Sequence, residues 1–568
     1  MSDADIEGPA WREGRILIFH MIYLSSLLFS ALATTLSIPV LMKLSHRIHV
    51  LDSPGERKIH TQPIPRCGGF AMVLGGIGPI LFWTAGNDFT RAYLMAVGVL
   101  VLFGAIDDIR GLGYKEKFLG QLAAALIIVF YGGVQIKSLG TLLPEGTYLP
   151  AWFALFLSVI AIMGVTNAIN LADGLDGLAG GISLLGFCSI GYLAYLQNQA
   201  VLVLVAISLA GALFGFLRFN THPASLFMGD TGSQLLGFSA VTLSIVLTQG
   251  NTALSPLLPL IILGFPVLDT LTVMADRVAR RKSPFSADRN HFHHRLMRFG
   301  FTHREAVVII YALQVLLFLA AYAFRFHSDR WLLAGYVLFA ALVIAAFRAA
   351  DRKHWRYPRV NPFDTRIRKH LGQWIEKALL IRASFGVLEL GMAGLLIFSC
   401  FLPASVPGYI SPFAVSLALG LILLRWIRPT WLQWALPISL YLLVPFLVYF
   451  GTTEKAGWVG PIVERAQNLA YLGLTLSIVL VLKFTRRRKG FRGTPLDFLV
   501  LFLIAFLVPQ LPFESLDGQQ LRSLSAKLLI LFFAIEVLMG ELRGKLDRFG
   551  AAALLALLIA AARGAIPG

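Results

Sequence analysis

The chain is poor in charged residues. Asp, Glu, Lys and Arg make up 14% of its 568 residues, against roughly 25% in an average soluble protein. Hydrophobic residues account for 57% of the chain, and the mean hydropathy is +0.72. This composition argues against a soluble globular protein. It favours a polytopic membrane protein, in which helices satisfy the backbone polar groups of each span.

Cysteine is scarce as well. The three cysteines, Cys67, Cys188 and Cys400, have unrelated spacings, which argues against both a disulfide framework and a cysteine metal site. A cleavable signal sequence is not evident either. The first apolar run, residues 16–41, is too long for the core of a signal peptide and lacks a clear cleavage site. We therefore predict that this run is the first transmembrane span.

Long apolar runs recur along the whole chain. About eighteen of them are long enough to cross a bilayer as a helix, so the predicted fold class is an all-α polytopic membrane protein. We place about eleven spans in residues 1–350, a basic linker at 351–378, and about seven spans in a C-terminal extension of unknown role at 379–568. The predicted spans are 16–41, 69–86, 91–106, 118–132, 149–166, 177–196, 199–218, 233–249, 254–275, 305–324, 331–349, 379–403, 410–427, 430–450, 466–483, 496–513, 525–541 and 549–563.

The positive charge follows the order of the spans. The net charge is +18, and most loop Lys and Arg residues follow odd-numbered spans, with eight of them in residues 276–304. The other loops are nearly free of positive charge, as in "QNQA", "GNTA" and "FESLDGQQ". Because positive loops stay in the cytoplasm, the odd-numbered loops are predicted to be cytoplasmic, although Arg12 and Arg15 before the first span favour the opposite orientation. The charge thus reflects topology and predicts no nucleic-acid partner.

Five polar clusters fall in these cytoplasmic loops. A transporter places its ionisable groups near the middle of the bilayer, often on interrupted helices. Here the groups lie at the ends of spans and on one face of the membrane. This arrangement favours an enzyme at the membrane surface over a transporter or lipid flippase, which is the main competing hypothesis.

The first two clusters combine cations and carboxylates. In "DSPGERKIHTQPIPRCGG", Lys58 is either a phosphate ligand or a positive-inside anchor. In "GAIDDIRGLGYKEKFLGQ", Asp107 and Asp108 close an apolar run, and Lys117 enters the next one. Neighbouring residues point about 100° apart on a helix, so one Asp can bind a metal or act as a base while the other caps the following segment.

The third cluster is "TNAINLADGLDGLAGG". Asn167, Asn170 and Asp173 recur every three residues and can line one side of a helix end, and Asp176 follows between glycines. Their oxygens suit Mg²⁺ or a nucleotide base. The alternative is an ordinary Asn/Asp/Gly turn that caps the next helix. An EF-hand calcium loop is excluded, because the required spacing and the closing Glu are absent.

The fourth cluster, "RFNTHPASLFMGDTGSQLLG", places Asp230 before a Gly and a Thr/Ser pair. Asp230 is either a cation ligand or a helix cap, and the helix N–H groups freed there can face a phosphate. Asn220 and Phe227 are candidates to contact and stack on a flat base. Each of these functions has a purely structural alternative.

The fifth cluster, "SADRNHFHHRLMRFGFTHRE", contains His291, His293 and His294 beside Arg289. A zinc site would need a fourth ligand and fewer competing cations. Histidines among arginines suit pyrophosphate recognition and charge stabilisation better, and a basic loop with incidental histidines is the alternative. Asp269, inside a predicted span, is explained equally well by a buried hydrogen bond and by catalysis.

Taken together, the Asp-Asp pair, N-x-x-N-L-x-D-G-L-D-G-L, F-M-G-D-x-G-S and H-x-H-H resemble the polyprenyl-phosphate N-acetylhexosamine-1-phosphate transferases, over roughly residues 40–305. The resemblance implies transfer of a sugar-1-phosphate from a UDP-sugar to undecaprenyl phosphate, with release of UMP and a need for Mg²⁺ or Mn²⁺. The expected location is the bacterial inner membrane, with the active site on the cytoplasmic face. We favour direct attack by the lipid phosphate over a phospho-enzyme.

The resemblance also implies roles for individual residues. Asp107 and Asp108 match the catalytic acidic pair, and Asp107 or its neighbour deprotonates or orients the lipid phosphate. Asp230, together with Asp107, matches the metal site. Five residues match the uridine and metal pocket, namely Asn170, Asp173, Asp176, Asn220 and Phe227. Asn167 is expected to bind substrate beside them. The residues that match phosphate-facing positions are Lys58, Lys117, Arg289, His291, His293 and His294, and the three histidines are expected to be catalytic.

The form "DRNHFHHRL" resembles the GlcNAc-1-phosphate branch, and the phospho-MurNAc-pentapeptide branch is the alternative. The expected partners are UDP-N-acetylhexosamine, undecaprenyl phosphate and membrane lipid, with a homodimer left open, and the product would initiate a cell-surface glycan. The C-terminal extension departs from the family. Within it, Glu389 and Glu536 are either packing contacts or part of a second function.

Overall fold

The computed structural model describes residues 9–52, 63–84, 86–250, 252–283, 290–357, 379–484, 494–510, 517–542 and 547–565. Most of these residues are helical. The named strands are one short antiparallel pair, β1 (Leu51–Asp52) and β2 (Ile64–Pro65). The prediction of an all-α polytopic membrane protein is therefore confirmed.

Thirteen helices form the N-terminal region up to residue 352. They are α1 (Pro9–Arg47), α2 (Gly68–Thr84), α3 (Asp88–Arg110), α4 (Tyr114–Leu126), α5 (Ala151–Ala172), α6 (Leu178–Leu196), α7 (Ala200–Asn220), α8 (Gly229–Gln249), α9 (Leu258–Ile262), α10 (Gly264–Ala279), α11 (Phe292–Arg298), α12 (His303–Ala323) and α13 (Asp329–Arg352). A π-helical turn, Ile127–Tyr131, extends α4, and a 3₁₀ turn lies at Gly140–Leu142.

Seven further helices lie in the described residues from 379 onward. They are α14 (Leu379–Ser399), α15 (Ile410–Ile427), α16 (Leu432–Thr453), α17 (Pro461–Phe484), α18 (Pro495–Leu507), α19 (Gly518–Leu542) and α20 (Asp547–Ala565), with 3₁₀ turns at Pro429–Trp431 and Val508–Gln510. Each of the eighteen predicted spans corresponds to helix in this structure. In the part of the chain that the structure describes, thirteen helices are long and apolar enough to cross a membrane, and three shorter apolar helices accompany them.

One predicted span is wrong as a single helix. Residues 254–275 form two helices, α9 and α10, which meet at Leu263. Pro266 has no N–H to donate to the carbonyl of Ile262, so the helical ladder breaks there. A side chain of α12 takes up the freed carbonyl, since Nε2 of Gln314 donates to the Ile262 oxygen at 2.7 Å. Beside the break, the Tyr336 hydroxyl donates to the Gly264 oxygen at 2.8 Å.

Helix α8 lies at the centre of the N-terminal region, where nearly all of its residues are buried. Glycines allow this close packing. A Cβ on Gly69 would lie 2.3 Å from the backbone nitrogen of Gly232, and one on Gly237 would lie 2.7 Å from the Cα of Thr166. Real Cβ atoms do not approach that closely, so only glycine at these positions allows α2 and α5 to pack this tightly against α8. The beginning of α8 is thereby fixed beside the ends of its neighbours.

By its internal contacts the chain divides into two compact units, one holding residues up to Tyr357 with Thr494–Leu496, and the other holding the rest. The second unit has its own apolar core, which includes Leu388, Leu440 and Leu557. The Tyr441 hydroxyl donates a hydrogen bond to Glu536, which gives this glutamate a packing contact between helices. The basic linker falls largely outside the described residues, so the predicted domain boundaries stay predictions.

Candidate functional site

The predicted polar clusters lie where several spans end. They occupy the C-terminal ends of α3, α5 and α7 and the N-terminal ends of α4, α6 and α8. The hydrogen bonds described below join these ends directly, so they lie on one side of the helical unit. The sequence prediction of a shared face is consistent with these contacts.

Lys117 connects two of the predicted carboxylates. Its Nζ lies 2.8 Å from Oδ2 of Asp107 and forms a second, shorter ion pair with Oδ2 of Asp230. Asp107 is 7% exposed, and its Oδ1 accepts a 2.6 Å bond from the backbone N–H of Leu112. One ammonium group thus bridges carboxylates from two helices.

Asn170 contacts the other oxygen of Asp230. Its Nδ2 donates to Oδ1 of Asp230 at 3.0 Å and lies 2.7 Å from Oγ of Ser233. Helix α5 continues to Ala172, so Asn170 lies in its last turn and reaches the first turn of α8. Asn167 lies one turn earlier and is half-buried, and no hydrogen bond to its side chain occurs among the described residues.

Asp108 has a different environment from Asp107. Its Oδ1 accepts from the backbone N–H of Asp230 at 2.8 Å, and its Oδ2 accepts from the backbone N–H and the hydroxyl of Thr231 at 3.1 and 2.8 Å. Asp108 therefore caps the N-terminus of α8 from a neighbouring helix. Gly229 has φ +69°, and a Cβ there would lie 2.5 Å from Asp108 Oδ1, so this turn requires glycine.

Asp173 lies at the C-terminal cap of α5. Burial, and then the negative charges of Asp230, Asp176 and Asp108, raises the pKa of Asp173 to about 7. No hydrogen bond to its carboxyl group occurs among the described residues. The ionised form of Asp173 is therefore less stabilised than those of the neighbouring aspartates.

Asp176 is bonded to the loop that follows α7. Its Oδ2 lies 2.7 Å from Nδ1 of His222 and accepts from the backbone N–H of Ala224 at 3.1 Å. Burial alone would raise the pKa of Asp176, but these hydrogen bonds outweigh it and leave the pKa lowered. The loop "DGLD" is thereby tied to the loop "THPAS".

His303 stacks on His222, with ring centroids 4.1 Å apart and planes 18° apart. With Asp176 these histidines bring potential ligand atoms within 4.8 Å of one another. The lone pairs of imidazole lie in the plane of the ring, so two nearly parallel rings do not point to one common ion. We interpret this group as a brace between loops.

Asn220 and Phe227 make structural contacts. Asn220 is 2% exposed, and its amide accepts from the N–H of Gly177 at 2.9 Å and donates to the Leu226 oxygen at 2.8 Å. Phe227 is half-buried, and its carbonyl accepts from the N–H of Gly68 at 2.9 Å. Both polar ends of Asn220 are therefore already bonded within the protein. The substrate-binding roles of these two residues stay predictions.

The histidine segment is attached to α10. Nδ1 of His291 lies 2.9 Å from Oδ2 of Asp269, and Oδ1 of Asp269 accepts from the backbone N–H of Phe292 at 2.8 Å. His291 and Asp269 are each 5% exposed. The carboxylate inside the predicted span is therefore a direct partner of the H-x-H-H motif.

His293 connects this segment to the "DGLD" loop. It is 2% exposed, and a Cβ on Gly174 would lie 2.4 Å from its Nε2. This Nε2 has no hydrogen-bond partner among the described residues. Burial, and then the neighbouring His294, lowers the pKa of His293 to about 3, so its ring is neutral at ordinary pH. The His294 ring lies 4.2 Å from that of His293.

Lys58 and Arg289 lie outside the described residues, so their predicted phosphate contacts stay predictions. Thr231, Ser233 and His222 join the site without having been predicted as functional. The sequence signal for the first two was the Thr/Ser pair after Asp230. His222 had no local signal, because its partners come from distant parts of the chain.

The donor set fits a hard divalent cation. Asp107 and Asp230 flank the Lys117 ammonium, and Asp108 and Asp173 lie close enough to Asp230 to interact with it electrostatically. Carboxylate oxygens are the preferred ligands of Mg²⁺. Asp108 is committed to the helix cap, so Asp107 and Asp230, which face each other across Lys117, are the residues placed to hold a metal.

Comparison with known proteins identifies the family of the chain. The sequence profile of glycosyl transferase family 4 matches residues 90–248. The chain is 34% identical over 319 residues to the "Probable undecaprenyl-phosphate N-acetylglucosaminyl 1-phosphate transferase" of Bacillus subtilis (strain 168), covering 55% of this chain and 87% of the relative.

Two relatives named "Undecaprenyl-phosphate alpha-N-acetylglucosaminyl 1-phosphate transferase" give similar matches. The one from Escherichia coli (strain K12) is 33% identical over 288 residues, covering 49% of this chain and 77% of the relative. The one from Yersinia pestis is 30% identical over 338 residues, covering 58% and 92%. With most of each relative matched at this identity, the chain belongs to glycosyl transferase family 4.

Proposed function

We propose that this protein transfers GlcNAc-1-phosphate from UDP-GlcNAc to undecaprenyl phosphate at the cytoplasmic face of the bacterial inner membrane. The names of the relatives support the lipid acceptor and the sugar phosphate. The basic loops on one side of the spans support the cytoplasmic face. The UDP-sugar donor rests on the resemblance to the family, and the metal requirement rests on the carboxylates of the site.

The observation that carries the proposal is the bridge from Lys117 to Asp107 and Asp230 at the ends of apolar helices. A lipid phosphate and a nucleotide diphosphate are both anions, so their reaction needs fixed cations at the membrane surface. A salt-bridged lysine beside paired carboxylates supplies both a cation and metal ligands there. A transporter or flippase would have no need for this arrangement.

Asp107 and Asp230 would hold Mg²⁺, or Mn²⁺. When bound, the ion neutralises the phosphate charge that develops during transfer. With the ion on these carboxylates, the Lys117 ammonium would contact a phosphate oxygen as a point charge. Asn170 would keep Asp230 oriented through the 3.0 Å hydrogen bond between their side chains.

The proposed reaction is a direct displacement. An oxygen of the lipid phosphate bonds to the β-phosphorus of the UDP-sugar, and the bond from that phosphorus to the bridging oxygen breaks. UMP leaves with the bridging oxygen, and undecaprenyl-diphosphate-GlcNAc remains in the membrane. Asp107 would orient the attacking phosphate or accept its proton, which requires a carboxylate at the site.

The test uses the purified full-length protein with undecaprenyl phosphate, Mg²⁺ and radiolabelled UDP-GlcNAc. We expect label to enter the lipid phase with release of one UMP for each product molecule, and chelation of the metal to stop both. No UMP release from any of several UDP-hexosamines would overturn the enzyme assignment. Turnover only with UDP-MurNAc-pentapeptide would move the protein to the other branch of the family.

A matched pair of variants locates the chemistry. Asp230→Asn removes a proposed metal ligand and is expected to abolish turnover. Asp88→Asn changes an exposed carboxylate at the opposite end of α3 and is expected to leave turnover unchanged. An active Asp230→Asn protein with ordinary Mg²⁺ dependence would contradict the proposed role of Asp230.

A further inference from the structure

The pair formed by Asp269 and His291 lies outside the aspartate–lysine cluster. Both side chains are almost completely buried, and they come from α10 and from the residue that precedes α11. A buried carboxylate is costly unless each of its oxygens is hydrogen-bonded. Here both oxygens have partners, namely the His291 ring and the Phe292 backbone.

These two bonds fix the state of the His291 ring. A carboxylate accepts hydrogen bonds, so the 2.9 Å contact places a proton on Nδ1 of His291. Nε2 is then the ring nitrogen that remains for another partner. The bond to the Phe292 N–H also fixes the backbone, so Asp269 sets both the position and the tautomer of His291.

The same segment is held from its other end. The His293 ring lies against Gly174 in the "DGLD" loop, and the His291 and His293 rings are stacked with centroids 5.7 Å apart. His291 is therefore held between α10 and a loop that carries the predicted nucleotide-binding residues. Because the segment is fixed at both ends, His291 depends on the Asp269 carboxylate for the orientation and tautomer of its ring.

We propose that Asp269 is a positioning residue that holds His291 with Nε2 unprotonated, as a hydrogen-bond acceptor for a hydroxyl group of the donor substrate. This inference rests on the proposed sugar-1-phosphate transfer and adds a residue to it. Asp269 itself does not touch substrate, so it acts through His291.

The geometry makes a sharp distinction between Asp and Asn at this position. Asparagine has one acceptor oxygen, whereas Asp269 receives two donors. If the Asn oxygen keeps the Phe292 bond, its NH₂ faces Nδ1 of His291 and the ring proton moves to Nε2. If the oxygen instead keeps the His291 bond, the Phe292 N–H loses its partner. Asp269→Glu keeps two acceptors on a longer side chain and should recover part of the function.

The experiment is a double-mutant cycle on the full-length protein with Asp269→Asn and His291→Gln. We expect Asp269→Asn to lower kcat by about 10- to 100-fold, the range for removing a residue that orients a functional histidine. The double variant should be no slower than His291→Gln alone. If the two losses multiply, Asp269 acts independently of His291 and the proposal is wrong.

A second measurement does not depend on turnover. Nitrogen NMR of protein labelled at histidine, with His291→Gln used to assign the signal, should show the proton on Nδ1 in the unsubstituted protein. Asp269→Asn should move that proton to Nε2. If the unsubstituted protein carries the proton on Nε2, the proposal fails even if the enzyme is active. An inactive unsubstituted protein with the proton on Nδ1 would instead count against the proposed function.

Asp329→Asn is the matched control for a purely structural carboxylate. Asp329 is 3% exposed and bonds to Ser255 and Thr141 away from the histidine segment. We expect its replacement to lower thermal stability without changing the His291 signal, and its effect on kcat to be additive with that of His291→Gln. Coupling of Asp329 to His291 as strong as that of Asp269 would remove the case for a specific pair.

Discussion

Asp108→Asn tests whether the two neighbouring aspartates have different tasks. Asp108 accepts three hydrogen bonds at the start of α8, two of them from the backbone of Asp230 and Thr231. Asparagine can accept on one side only, so its NH₂ group must face a donor on the other side. The variant should therefore loosen the turn that carries Asp230.

The magnitude follows from these contacts. A hydrogen bond to a charged group contributes about 1.5–3 kcal/mol, and a carboxylate at a helix N-terminus adds about 0.3–1 kcal/mol through the helix dipole. The neutral amide is less costly to bury in this 8% exposed position, which offsets part of the loss. We expect a net destabilisation of about 1–3 kcal/mol, because one charged hydrogen bond and the dipole term are lost.

The assay compares Asp108→Asn with Asp107→Asn. Asparagine at 107 keeps an acceptor for the Leu112 N–H and loses mainly the partly exposed contact with Lys117, so stability should change little. Both variants should lose turnover, but only Asp108→Asn should lower the midpoint of thermal unfolding in detergent. If Asp108→Asn is inactive with an unchanged midpoint and the same unfolding profile as Asp107→Asn, the capping role of Asp108 is refuted.

Three further predictions concern the loop, the pH profile and the second unit. Gly174→Ala should cut turnover by about 5- to 150-fold, because overpacking against His293 costs about 1–3 kcal/mol at the site. Normal kinetics would show that the segment can move aside. The pKa of Asp173 is raised from 3.8 to about 7, so this carboxyl group should become charged as the pH rises from 6 to 8. Turnover that needs the carboxylate should therefore rise over this pH range, and Asp173→Asn should remove that rise. The folded state binds the extra proton between these two pKa values, so stability should fall as pH rises across that window, which thermal unfolding of the two proteins can check. A chain ending at Tyr357 contains all the described site residues and should retain turnover in detergent; complete loss in a folded protein would assign the second unit a part in catalysis.

Much of the architecture could be predicted from the sequence. Span positions follow from the lengths of apolar runs, and their orientation follows from the Lys and Arg content of short loops. The break at Leu263 was missed because apolar content continues across it, although Pro266 was a local signal. The hydrogen bond from Gln314 to the carbonyl that Pro266 leaves free has no sequence signature.

The site divides in the same way. The sequence identified Asp107 and Asp108 as a pair in which one residue acts and the other caps, but adjacent positions cannot say which is which. Packing of α3 against α8 decides it, because only Asp108 reaches the N–H groups at the start of α8. From the sequence, a buried hydrogen bond and a catalytic role explained Asp269 equally well. The structure shows that its partner is His291.

The sequence by itself determined that this is a helical membrane protein with its polar clusters at the ends of spans on one side. Hydrophobic length and loop charge are properties of short segments, and the membrane acts on them locally. Only the tertiary structure decided that Lys117 bridges Asp107 and Asp230 and that His222 stacks on His303. Those contacts join helices that are distant along the chain, and their geometry depends on how closely the helices pack.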